Sequence, residues 1–393
     1  MRTGDGMDRL VRVGMAATLA VAAGVAAPAR AGAAGARAFA PARYLATGST
    51  GTNAVAVADV TGDGRRDIVV GVDAATGTQT SSVLVFAQQA DHGYGAPTRI
   101  PAHGGYNSDV RLAVADIDGD GRTDVAMSSS AGVDVLFQRG GRLAAPVLVA
   151  GGAEDVAIAD VTGDGRPDLV VGAKQGEVRI HAQSATHTFP THTTVTGPFT
   201  AGAPANQVFV ADLDGDARVD LAQFYGHGTW VRLRRADGSY GPATTYRTPA
   251  DGNGHRRVSL GAAVGDVTGD GRADLVTSVQ GNTPDAAVQV FAQGVGGLAA
   301  TPTRYPAYDC AAGLVIGDLT GDNRNDLVVA HANWLAVSVH LQGPTGTLGG
   351  YATNSVDGVG SQEDALAVGD VTGDGKPDVV AVAYDKVAIL RQL

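Results

Sequence analysis

One nine-residue phrase returns seven times along the chain, and its spacing limits the fold more than any other feature. It reads DVTGDGRRD at Asp59–Asp67, DIDGDGRTD at Asp116–Asp124, DVTGDGRPD at Asp160–Asp168 and DLDGDARVD at Asp212–Asp220. The later copies are DVTGDGRAD at Asp266–Asp274, DLTGDNRND at Asp318–Asp326 and DVTGDGKPD at Asp370–Asp378. Successive copies begin 57, 44, 52, 54, 52 and 52 residues apart. A period of that size sustained through the chain indicates a repeat architecture in which each unit buries its apolar face against its neighbours.

Within each period the same order recurs. A small-residue strand such as NAVAVADV (Asn53–Val60) runs into the phrase, and a strand such as DIVVG (Asp67–Gly71) leaves it. A third strand like SVLVFAQ (Ser82–Gln88) and a fourth like GAPTRIPA (Gly95–Ala102) follow. Four antiparallel strands per unit, seven times, predict an all-β seven-bladed propeller. After Asp378 only VVAVAYD and KVAILRQL remain, enough for two strands. The segment FAPARYLATG (Phe39–Gly48) resembles the fourth-strand segments AAPVLVAGG (Ala144–Gly152) and TPTRYPAYD (Thr301–Asp309). It is therefore expected to complete blade seven and close the ring, which removes the free edges. The domain spans 39–393.

Residues 1–38 are a different material. Arg2, Arg9 and Arg12 precede an apolar run from Val13 to Ala27, and small-residue patterns follow at Ala29-Arg30-Ala31 and Ala36-Arg37-Ala38. This order predicts a secretory signal and an exported, soluble protein. Cys310 is the single cysteine, so no internal disulfide can form; it is expected to be a small buried side chain. The chain carries a net charge of −11, and with five Arg and two Asp in the first 38 residues the remainder is −14. Of 40 acidic residues, 23 lie in the seven phrases, which excludes a nucleic-acid binder and points to cation binding.

Numbered one to nine, each phrase places oxygen donors on alternate residues. Position one is Asp59, Asp116, Asp160, Asp212, Asp266, Asp318 and Asp370. Position three is Thr61, Asp118, Thr162, Asp214, Thr268, Thr320 and Thr372. Position five is Asp63, Asp120, Asp164, Asp216, Asp270, Asp322 and Asp374, and position nine is Asp67, Asp124, Asp168, Asp220, Asp274, Asp326 and Asp378. Oxygen-only ligation favours Ca²⁺ over zinc, which takes His and Cys. Position seven is always basic (Arg65, Arg122, Arg166, Arg218, Arg272, Arg324, Lys376). It is expected to offer its backbone carbonyl to the ion and turn its side chain to water. Position four is always Gly and position six is Gly except at Ala217 and Asn323, so both are expected at positive φ. Blade four, with Ala217, is expected to be the least regular copy.

An EF-hand begins with a similar loop but needs a Glu at position twelve and flanking helices. Position twelve here is Val70, Met127, Val171, Gln223, Thr277, Val329 or Ala381, inside strands. Extracellular Ca²⁺ modules bind with dissociation constants of about 10⁻⁴–10⁻³ M. At about 1 mM ion and the tighter figure each filled site stabilises the fold by about 1.4 kcal/mol, and seven by about 10. Up to seven structural calcium ions would thus take the place of disulfides.

These loops, with Tyr94-Gly95-Ala96-Pro97, resemble FG-GAP/VCBS-type repeats, found in the integrin α-subunit propeller, in secreted bacterial proteins and in some integrin-like lectins. The resemblance implies calcium loops on the propeller face opposite the usual ligand side. On that opposite face fall Tyr225, His227, Trp230, His331, Asn333, Trp334, Tyr384 and Asp385, with Tyr106, Asn107 and Tyr308 on turns between blades. Exposed aromatics beside amides and carboxylates suit a glycan or a protein ligand; Trp230 and Trp334 could instead pack between blades. His181, His187 and His192 lie along one outer hairpin and are expected to be solvated. No GxSxG, HExxH or Walker loop occurs. The leading expectation is a secreted binding module for an extracellular glycan or protein, without catalysis, nucleic acid or membrane insertion. A polysaccharide lyase or hydrolase using His227, His255, His331 and Tyr384, and an adhesion scaffold, are the alternatives.

Overall fold

The computed structural model describes residues 39–74, 80–105, 110–173, 176–198, 205–250, 257–282, 284–331, 334–359 and 364–393. The expected signal segment and Tyr106, Asn107, His255 and Asn333 lie outside them. The described residues form seven four-stranded antiparallel sheets, each a simple meander, arranged as a propeller. Blade one pairs Thr52–Ala58, Asp67–Val72, Ser82–Phe86 and Thr98–Pro101 in that order. The next five blades repeat this plan, and blade five adds a short ribbon of Gln293–Gly294 with Gly297–Leu298.

Blade seven closes the ring as the sequence predicts. Leu366–Gly369, Asp378–Ala383 and Lys386–Leu390 come from one end of the chain, and Arg43–Ala46 adds the fourth strand from the other. Its register sets Arg43 opposite Ile389 and Ala46 opposite Lys386.

The second strands are buried on both sides, from DIVVGV in blade one to DVVAVA in blade seven. Alternate residues of such a strand face different neighbours, which is why it reads as a continuous apolar run. Val55, Val57, Ile68 and Val70 of blade one pack with Val380, Val382, Val387 and Ile389 of blade seven, so the core lies between sheets rather than within one. No helix among the described residues is long and apolar enough to cross a membrane.

Meander topology decides where function can sit. The nine-residue phrases join first to second strands, and the third-to-fourth turns share that rim. Second-to-third turns and the connections between blades occupy the other.

Candidate metal loops and the opposite face

Each loop is organised by its own carboxylates. The position-one Asp accepts from the backbone of positions four and six: Gly62 and Gly64 donate to Asp59 at 2.5 and 2.8 Å, and Gly215 and Ala217 to Asp212 at 2.7 and 2.8 Å. Turning both N–H groups inward requires positive φ, observed at 74° and 82° for Gly62 and Gly64. Ala217 at 66° and Asn323 at 61° adopt the same region without glycine, so Ala217 carries backbone strain as expected.

Position nine is the anchor. Asp67 is fully buried, and its two oxygens accept from Val60, Thr61 and Gln88, each at 3.0 Å. In every loop this carboxylate joins position two to a residue at or just past the end of the third strand, as Asp220 does with Leu213 and Arg234. Three N–H donors leave a carboxylate one further acceptor site, so anchoring does not remove it from a cation. Burial pushes the carboxyls of Asp124 and Asp378 up to about 6 and those of Asp220 and Asp326 to about 7, against the lowering effect of those donors.

Position seven departs from expectation. Its guanidinium turns back onto the position-five carboxylate rather than to water: Arg65 pairs with Asp63, Arg166 with Asp164, Arg218 with Asp216 and Arg324 with Asp322. Arg122 lies 2.8 Å from Asp120 and Arg272 3.7 Å from Asp270. In four loops Nε also donates to the carbonyl ending the third strand, as from Arg65 to Gln88 at 2.8 Å. A carboxylate two residues away and an unpaired strand-end carbonyl offer this donor fork fixed partners that solvent does not.

In blades two and four, where position three is Asp, three carboxylates converge. One oxygen from each of Asp116, Asp118 and Asp120 lies within 4.8 Å of the others, and Asp212, Asp214 and Asp216 do the same. Either cluster could hold a metal ion. The donor set fits a hard cation, and Oδ1 of Asp118 is buried without a hydrogen bond. Arg139 lies across the blade-two cluster, contacting Asp118 and placing Nη1 2.9 Å from Oδ2 of Asp120.

The loops also touch the next blade. Tyr94 of blade one donates to the carbonyl of Val371 in blade seven at 2.8 Å, across the seam of the ring. Gln183 of blade three donates to Ile117 of blade two at 2.6 Å, and Arg234 of blade four to Thr162 of blade three at 2.6 Å.

On the opposite face the aromatics divide. Trp230 is 1% exposed; it packs with Ala157, Val170 and Val178 of blade three, and its Nε1 donates to Gln223 at 3.1 Å. Tyr225 belongs to the same core cluster. His331 is fully buried, with Nδ1 3.0 Å from the Asp309 carbonyl and Nε2 2.6 Å from Ser338 Oγ. These three are core residues and offer no surface. Trp334 is 45% exposed, its ring edge-on to Tyr308 at 6.0 Å, while Tyr308 is edge-on to His331 at 5.3 Å. Beside Trp334, Leu335 is exposed at φ 50°. Tyr384 is 70% exposed at φ 56°, next to exposed Asp385 in the blade-seven turn, and His227 is half-buried with Nδ1 3.5 Å from the Arg257 carbonyl. Among the described residues no hydrogen bond or ring contact joins His227, His331 and Tyr384, and His255 lies outside them.

Two further expectations are corrected. His181 is buried rather than solvated, stacked 4.9 Å from exposed His192, and burial lowers its pKa to about 4. Cys310 is half-buried at φ 55°, not a core side chain. One network escaped the sequence. Gln207 of blade four donates to Asp364 of blade seven at 3.3 Å and accepts from Ala262 of blade five at 2.9 Å, while Arg111 of blade two lies 3.8 Å from Asp364. Blades four and seven share no edge, so these side chains meet across the central axis.

The family profiles agree with this geometry. An FG-GAP-like repeat profile matches residues 116–171, 160–223 and 318–381, and an FG-GAP repeat profile matches 51–86. The chain belongs to the FG-GAP-repeat proteins. Acidic clusters like those of blades two and four are typical of calcium sites in this family. No curated protein matches it. Among solved structures, an Agrocybe aegerita lectin described as recognising non-reducing terminal N-acetylglucosamine is similar at 24% identity and TM-score 0.57, covering 79% of this chain and 81% of that one. BBS1N, in complex with ARL6DN, matches at 13% identity and TM-score 0.58 over 90% and 96%. An inactive virginiamycin B lyase from Staphylococcus aureus matches at 12% identity and TM-score 0.54 over 90% and 99%. At such identities the likeness is one of fold.

Proposed function

We propose that this FG-GAP-repeat protein is an exported, calcium-stabilised propeller that binds an extracellular glycan without catalysis. Calcium would be held in up to seven loops by positions one, three, five and nine with the position-seven carbonyl. The convergence of Asp116, Asp118 and Asp120 supports that reading of the loops.

The ligand reading rests on one observation: Trp334 stands exposed on the face opposite the loops, packed against Tyr308, which in turn packs on buried His331. A flat apolar surface kept rigid by packing beneath it is what the apolar face of a sugar ring stacks on. Leu335, at a positive φ that costs a branched residue about 1–3 kcal/mol, extends the surface. A fold relative that recognises N-acetylglucosamine lends the reading support.

A glycan array tests it. Wild-type protein is expected to be retained by at least one glycan in calcium, and Trp334→Ala to lose that retention. Equal retention of the variant would move the site elsewhere. Retention by no glycan, together with capture of one protein from the surrounding medium, would make the ligand a protein.

A further inference from the structure

Six blades carry glutamine at one place at or just past the end of the third strand: Gln88, Gln138, Gln183, Gln293, Gln342 and Gln392. Each backbone N–H donates to the position-nine Asp of its own blade, at 2.7 Å for Gln138 and Asp124 and 2.9 Å for Gln293 and Asp274. The side chains go the other way, onto the loop of the preceding blade. A Cβ placed on Gly62 would stand 3.1 Å from Gln138 Nε2, one on Gly215 3.7 Å from Gln293 Nε2, and one on Gly269 3.3 Å from Gln342 Oε1. All three glutamines are at least nine-tenths buried, yet neither amide atom of any of them has a hydrogen-bond partner in the protein. Gln183 donates to Ile117 of the blade-two loop, and its Oε1 has no partner.

Buried amide atoms without partners are destabilising and rare, and here they recur at one kind of place. Six to eight oxygens surround Ca²⁺, more than a single loop of this length supplies, so water completes its shell. We propose that Gln138, Gln183, Gln293 and Gln342 are the outer partners of the cations held by blades one, two, four and five, each amide bonding to water on the ion of the blade before. The inference rests on the calcium reading above and goes past it, because the cation sites then belong to pairs of blades. Groups in that outer position hold the inner shell in place, and losing them weakens metal binding about 10–100-fold. Blade four has Arg234 instead of glutamine, and its guanidinium lies on the blade-three loop, where a Cβ at Gly163 would stand 3.3 Å from Nη1. A fixed positive charge there makes blade three the weakest site.

The test uses the full chain with Gln138→Leu, Gln293→Leu and Gln342→Leu combined, titrated calorimetrically with calcium chloride and melted in chelator and in calcium. Removing a partnerless amide leaves the metal-free fold as stable or more so. The melting temperature in chelator is therefore expected to hold or rise, while three sites weaken about tenfold or more. Unchanged affinities would overturn the proposal, as would a melting temperature that falls equally in both media. Wild-type protein that binds no calcium would instead defeat the underlying calcium reading. Gln138→Glu keeps the side chain's size and adds charge: a carboxylate beside the ion is expected to tighten one site several-fold while lowering the melting temperature in chelator, and a weakened or unaltered site would contradict the role.

Discussion

Nη1 of Arg139 lies 2.9 Å from Oδ2 of Asp120, and its other terminal nitrogen contacts Asp118, so a guanidinium lies between carboxylates that could hold a metal. The guanidinium also lies over Phe137, its carbon 5.1 Å from the ring centroid. Blade four has the same triple carboxylate, but its counterpart Arg235 carries its charge beside Asp237. Arg139 is thus an internal competitor for one site. The half-exposed pair is worth about 0.2–1 kcal/mol. Arg139→Gln is expected to tighten calcium binding at blade two up to about fivefold and to lower the melting temperature slightly in chelator, both read by calorimetry.

The position-nine carboxylates hold the loops together with or without an ion. Asp67→Ala would leave the buried N–H groups of Val60, Thr61 and Gln88 without an acceptor, at about 1–3 kcal/mol each. A loss of about 3 kcal/mol or more is expected in urea titrations in chelator, and a larger one in calcium, where the site is lost as well. A loss seen only in calcium would make Asp67 a ligand and nothing more.

His331 sets an acid limit on stability. Burial lowers its pKa to about 4, aided by the charge of nearby His340 and opposed by its bond to the Asp309 carbonyl. The unfolded chain takes up a proton near pH 6.5 that the fold refuses, so stability falls as pH drops from about 6.5 to 4. The full effect is about 3 kcal/mol. The buried position-nine carboxyls shift the opposite way and lose stability as pH rises through their raised values, so the measurement must be a difference. Wild type minus His331→Gln in urea is expected to be larger at pH 7 than at pH 4.5.

Trp230 and Trp334 are expected to separate stability from binding. Trp230→Ala opens a core cavity between blades three and four at about 3–5 kcal/mol, whereas Trp334→Ala removes an exposed ring and leaves the melting temperature within about 1 °C. Thermal melts of the two variants check this directly.

Those two tryptophans also show what the sequence could carry. Blade number, loop positions and ring closure were legible because they depend on spacing: seven phrases at a near-constant period, and Phe39–Gly48 in the register of a fourth strand. Which side of a third strand faces water was not legible, because in Gly228–Arg232 nearly every residue is buried and no alternation marks a solvent side. Trp230 lies inside its third strand, opposite Gln223, whereas Trp334 lies in the turn before Ala336–Gln342, and the two have opposite fates. The direction of position seven was missed for a different reason. Charge alone suggests solvent, but the partner carboxylate two residues earlier comes within reach only when the loop folds back. The glutamines left a signal that could have been read, since Gln138 and Gln392 stand 14 residues past position nine and Gln183 and Gln342 stand 15 and 16 past it. Their contacts, however, belong to the preceding blade, which no single repeat displays.

Calorimetric melting of the full chain in chelator and then in about 1 mM calcium tests the central claim most directly. Seven sites of about 10⁻⁴ M affinity would together add about 10 kcal/mol. At about 2 °C per kcal/mol for a chain of this size, the transition is expected to rise by about 20 °C on adding calcium and to fall back when chelator returns. Superimposable melting curves in the two media would contradict the account.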